Sequence, residues 1–219
     1  MSSEVYTELL YAACGGLLLA AVLTLWRRQL SALVSLLIVQ GALLALLAML
    51  LGIRHDSAEL YVVAVGVLLL KGVALPLVLR RALRSGGEAR ETRPLVNVPA
   101  SILAASLLTL VAYAVSGPIV ALSPGPETRA VPVGLAMVLI GLFVMVTRRR
   151  AISQVVGFLL MDNGIAATAF LLTAGVPAVI ELAVSLDLLL VVLVLLVVTS
   201  HVRATFGGTD IDELRGLRD

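Results

Sequence analysis

Seven apolar runs, each long enough to cross a bilayer, decide what this chain can fold into. They span 5–26, 29–52, 59–83, 98–122, 131–147, 151–174 and 177–202, and a crossing helix needs roughly 17–25 mostly apolar residues. Hydrocarbon offers no water to backbone N–H and C=O groups, so a run of that length crosses as a helix. Composition agrees: 60% of the 219 residues are apolar and 14% are charged, against about 45–50% and about 25% in ordinary globular chains. The predicted class is an all-α integral membrane protein with seven transmembrane helices. The opening MSSEVYTELLYAACGG carries Glu4 and Glu8 and no basic residue before the first apolar run. That run is therefore expected to stay as a membrane helix rather than to be cleaved as a signal peptide.

Pro99, Pro132 and Pro177 fall near the starts of their runs, where a missing N–H costs little. Gly117-Pro118 is expected to end the fourth helix early. The longest polar connection is RSGGEARETRPLVN, 84–97. Basic residues sit at the ends of apolar runs, so the net charge of +2 reports topology rather than nucleic-acid binding. With the N-terminus outside, the inner connections and tail hold thirteen arginines, and the outer ones hold two, Arg54 and Arg129. The positive-inside rule then predicts N-out and C-in, which an odd number of crossings requires. The single cysteine, Cys14, allows no disulfide within the chain, and His55 and His201 are too far apart to suggest a metal site.

An internal repeat organises the runs. RRQLSALVSLLIVQGALLALLAMLLG (27–52) aligns with RRRAISQVVGFLLMDNGIAATAFLLTAG (148–175), bringing Gln40 onto Asp162. Both arginine clusters lie on the inner side, so the predicted units are parallel repeats about an axis along the membrane normal. The expected organisation is an N-terminal three-helix unit (1–84), a polar linker with an extra fourth helix (85–130), a second three-helix unit (131–203) and a cytoplasmic tail (204–219). The fourth helix returns the chain to the face from which the same unit can start again.

Polar residues interrupt the apolar runs near their midpoints: Gln40, Lys71 (the only lysine), Asp162 and Asp187. An ionised side chain at a helix centre costs roughly 2.5–3.5 kcal/mol to insert, whereas an interhelical hydrogen bond returns about 0.6 kcal/mol. Packing therefore explains the uncharged amide of Gln40 and does not explain Asp162, Asp187 or Lys71. Burial disfavours an ionised carboxylate and a neighbouring lysine favours it. A Lys–Asp pair is thus a switch: when the lysine charge moves away, the aspartate takes up a proton. Asp162 and Asp187 are the candidate stations of a proton path, with Lys71 as partner or modulator. Gln40, Asn163 and Glu181 are accessory polar groups, Glu181 only about a turn into its helix. Pro76, five residues after Lys71, should disturb its helix near Gly72. Trp26 and Tyr61 fall where interfacial anchors belong. No nucleotide-binding loop, metal cluster or nucleophile–base arrangement is present in the sequence, and no cofactor is expected in this chain.

The stretch from RRRAISQVVGFLLMDNGIAATAFLL to TSHVRATFGGTDIDELRG resembles the K subunit of bacterial respiratory complex I. The chain as a whole, with its extra N-terminal unit, resembles component E of hydrogenase-4. The resemblance implies that Asp162 and Asp187 stand where the K subunit has glutamates in its second and third helices. It also implies a bacterial or archaeal cytoplasmic membrane as the location. The implied partners are antiporter-like membrane subunits and hydrogenase-type redox subunits, which would carry a nickel–iron centre and iron–sulfur clusters. On this view the chain is a non-catalytic subunit that relays protons. Two other functions fit the same residues: a structural scaffold with a vestigial polar path, and a small stand-alone secondary transporter.

Overall fold

A computed structural model describes residues 2–27, 29–86, 96–148 and 151–173 of the chain. Helix α1 (Ser3–Trp26) is capped by Ser2, whose hydroxyl accepts from the Val5 N–H at 3.4 Å. Helix α2 (Leu30–His55) ends at Asp56, held in the left-handed region at φ 50°, with the Ser57 N–H returning to the Gly52 carbonyl. Helix α3 (Ala58–Val67) then runs through a π-helical turn, Leu68–Ala74, into α4 (Leu75–Gly86), and Ala58–Arg81 forms one crossing. Pro76 is the physical cause of the π turn. It has no N–H for the Gly72 carbonyl, and the ladder ahead of it widens: the Leu75 N–H reaches Leu70 O, five residues back. The disturbance expected near Gly72 takes this form.

Helix α5 (Val98–Leu122) starts at Asn97, whose side chain accepts from the Ala100 N–H at 2.9 Å. It continues past Gly117-Pro118 to Leu122, contrary to the expected early stop. Pro118 offers no N–H to the Ala114 carbonyl, and in hydrocarbon a continued helix is less costly than a run of unpaired backbone. Helix α6 (Pro126–Thr147) begins five residues before the expected 131 and carries Pro132 inside it rather than at its start. Two contacts fix that earlier start. Pro126 occupies the first turn, and Thr128 Oγ1 accepts from the Gly125 N–H at 3.0 Å. Helix α7 (Ala151–Thr173) follows a short connection. Six described helices are long and apolar enough to cross a membrane. The seventh predicted run, 177–202, lies outside the described residues.

Helix α2 is central, packing on α1, α3, the π turn, α4 and α7. Glycines bring α6 and α7 into backbone contact. A Cβ on Gly164 would lie 2.7 Å from Val138 N, and one on Gly141 would lie 2.5 Å from Met161 N. Helix α5 docks on α6 and α1 through Ser101, Ala105, Ala112 and Ser116, and leaves Leu103, Leu107 and Leu110 facing outward. Trp26 and Tyr61 are exposed near helix ends, as anchor residues should be.

Candidate functional site

The site lies where α2, the π turn and α7 meet. Lys71 Nζ stands 2.7 Å from Asp162 Oδ2, and the two side chains are only 3% and 9% exposed. Beside this ion pair, Asn163 Nδ2 donates to Gln40 Oε1 at 3.1 Å, and Gln40 is wholly buried. The Gln40 Nε2 donor finds no acceptor among the described residues. Four polar side chains from three helices thus share one level near the midpoints of their crossings.

Local sequence explains the meeting. Gly41 lets α2 approach the π turn until a Cβ there would sit 2.6 Å from both Gly72 N and the Lys71 carbonyl carbon. No larger residue fits between Gln40 and Lys71 without moving the turn. Asp162 and Asn163 are consecutive on α7, so adjacent side chains of one helix serve two different neighbours: Asp162 the π turn, Asn163 helix α2.

Apolar layers close the site on both sides. Towards the face where α4 ends, the junction is filled by Leu33, Leu37, Leu75, Leu79, Val155 and Leu159. Towards the face where α3 begins, Leu47, Leu51, Leu60, Val63, Val67 and Phe170 fill it. An ion pair so enclosed loses its hydration, at several kcal/mol for each ion, and persists only while both partners stay in place. Chemically, the arrangement is a buried ion pair in which the Lys71 ammonium and the Asp162 carboxylate offset each other's charge. Among the described residues, no three His, Cys, Asp or Glu side chains gather in the manner of a metal site.

Of the residues singled out in the sequence, Lys71, Asp162, Gln40 and Asn163 come together here. Asp187 and Glu181 lie outside the described residues. Sequence reasoning overlooked two other polar contacts. Arg148, buried at the end of α6, donates from Nη2 to the carbonyls of Thr24 (3.3 Å) and Leu25 (3.1 Å), tying down the C-terminal end of α1. At the opposite face, Tyr6 Oη donates to Glu127 Oε1 at 2.7 Å while the Arg54 guanidinium lies 5.6 Å from the Tyr6 ring centre. Nothing in the run of three arginines distinguishes Arg148 from the next two. Glu127, in the first turn behind Pro126, lies before the run read from the sequence as 131–147 and so was not singled out.

Among known proteins, the chain is 51% identical over 220 residues, the full length of both, to "Uncharacterized protein Rv0085" of Mycobacterium tuberculosis. It is 24% identical over 162 residues to hydrogenase-4 component E of Escherichia coli and of Shigella flexneri, covering 74% of this chain and 75% of theirs. No family model matches the sequence, and no solved structure matches it. A membrane-embedded helical chain matched end to end at this identity belongs to the same family as the mycobacterial protein Rv0085, with hydrogenase-4 component E as a distant relation.

Proposed function

We propose that the chain is a non-catalytic membrane subunit of a nickel–iron hydrogenase or formate hydrogenlyase-type complex, in which it relays protons and couples redox chemistry to ion translocation. Its distant relation to hydrogenase-4 component E and its six apolar helices support membership of such an assembly. In this reading it lies in the cytoplasmic membrane beside antiporter-like subunits, and redox subunits hold the nickel–iron centre and the iron–sulfur clusters. The observation that carries the relay is the enclosed Lys71–Asp162 pair. Intramembrane charges of this kind mark ion and proton pathways more often than they serve packing. Asp187 is the proposed next station, and Glu181 an accessory one.

The apolar layers above and below the pair favour a relay over a stand-alone transporter, because the described helices contain no polar route from one face to the other at this junction. A proton reaching Asp162 would need a neighbouring chain or an opening of the bundle. The scaffold reading draws support from a different observation. The Gln40–Asn163 bond and the Gly41 contact make the same level a packing device.

One experiment separates the two readings. The complex is purified from cells carrying Lys71→Leu together with Asp162→Leu, which removes the carboxylate without leaving an unpaired buried charge. Its subunits are identified, and redox turnover and proton translocation are measured in proteoliposomes. The relay reading expects an intact complex that still turns over while protons moved per electron pair fall severalfold. An intact complex with unchanged translocation rejects it, and loss of assembly with normal coupling in the remaining particles supports the scaffold.

A further inference from the structure

At the face where α4 ends, α2 and α4 present an outward strip with a cationic, hydroxylated end and an apolar body. Arg80 is exposed and extends Nη2 to 3.4 Å from Ser35 Oγ, which itself donates to the Ser31 carbonyl at 3.1 Å. Ser35 is therefore already oriented as an acceptor towards Arg80. Among the described residues, Arg80 has no carboxylate partner, and it stands one residue from the end of the apolar crossing Ala58–Arg81, where a long basic side chain can reach the head groups. Towards the membrane centre the strip turns apolar. Val39 and Ala42 continue the Ser35 face of α2, and Leu77 and Val73 continue the Arg80 face of the neighbouring crossing, all four exposed. The spacings 35–39–42 and 80–77–73 keep each set on one helical face. The two faces lie against each other because Gly41 and Gly72 bring their backbones together.

We propose that this strip binds an anionic phospholipid, with its phosphate on the Arg80 guanidinium, which Ser35 orients, and its acyl chains along Val39, Ala42, Val73 and Leu77. A guanidinium presents a planar fork matched to phosphate oxygens. The apolar body beneath it is what separates a lipid site from a free-phosphate site. A basic side chain near an anionic head group contributes about 1 kcal/mol, which corresponds to roughly five-fold in affinity.

The full chain in a zwitterionic detergent is titrated with phosphatidylglycerol, with phosphatidylcholine of the same acyl chains, and with inorganic phosphate. Native mass spectra and thermal unfolding are followed. Phosphatidylglycerol should be retained and should raise the unfolding temperature, and the other two should do neither. Arg80→Gln should weaken phosphatidylglycerol binding about five-fold, and Ser35→Ala should weaken it less, both with unchanged unfolding in the absence of lipid. Arg27→Gln, at the end of α1, should leave binding unaltered and so separates the strip from diffuse attraction to the basic face. Equal binding of phosphatidylcholine, equal stabilisation by inorganic phosphate, or equal loss in Arg27→Gln and Arg80→Gln each overturns the proposal. If Arg80→Gln lowers lipid-free stability, Ser35→Leu, which blocks the strip without removing charge, must reduce phosphatidylglycerol binding for the site to stand.

Discussion

Lys71 and Asp162 form a unit whose members are costly apart. Removing one partner of a buried pair leaves an uncompensated charge, at about 3–5 kcal/mol, whereas replacing both with apolar residues is often nearly neutral. Lys71→Leu alone should therefore destabilise the protein in detergent by about that amount, and Lys71→Leu with Asp162→Leu should recover most of it. A double variant no more stable than the single one would show that the pair is not the unit. Gln40→Leu should cost about 1–3 kcal/mol by leaving the Asn163 donor unmet, and a second change, Asn163→Leu, should relieve part of that loss. All four residues were conspicuous in the sequence as polar groups in apolar runs. Their pairing was not, because a helix centre records depth and leaves the direction of the side chain open. Gln40, aligned with Asp162 in the repeat and read as a packing residue, does bridge helices, and its partner Asn163 is the immediate neighbour of Asp162.

At the scale of helices, glycine decides how close two backbones come. Gly157→Leu should destabilise by about 1–3 kcal/mol through overpacking, since a Cβ there would lie 2.9 Å from Met145 N. Gly15 has open space around it, and Gly15→Ala should be neutral or stabilising by about 0.5–1 kcal/mol. Chemical or thermal unfolding in one detergent checks both, and equal losses would mean that close approach is not what these glycines provide. Apolar run length gave away the six described helices, and the proline positions were less instructive. Pro118 does not stop α5, Pro132 lies inside α6, and Pro76 widens a turn. Where protein or lipid leaves no water for freed carbonyls, the chain absorbs a proline locally and goes on being helical.

For the whole molecule, two predictions concern how the halves and faces are arranged. Arg148 ties the end of α1 to the end of α6, and Arg148→Met should cost about 1.5–3 kcal/mol by removing a charged donor from two carbonyls. An unchanged unfolding midpoint would show that the contact is dispensable. The arginine asymmetry predicts that a cysteine placed at position 57 in a Cys14→Ala background is labelled from outside intact cells, and one at position 87 only after permeabilisation. The reverse pattern would invert the topology.

By itself the sequence determined that this chain lies in a membrane as a series of helices, because hydrocarbon tolerates no other backbone for runs of this length and apolarity. It also determined the depth of the polar groups, since each residue advances a helix by a known rise. Only the tertiary structure decided that Lys71 faces Asp162, that Gln40 faces Asn163, and that apolar layers enclose them. Those choices depend on helix rotation and closeness. Glycine contacts between helices and a π turn ahead of Pro76 set them, and neither is visible in a pattern of apolar and polar letters.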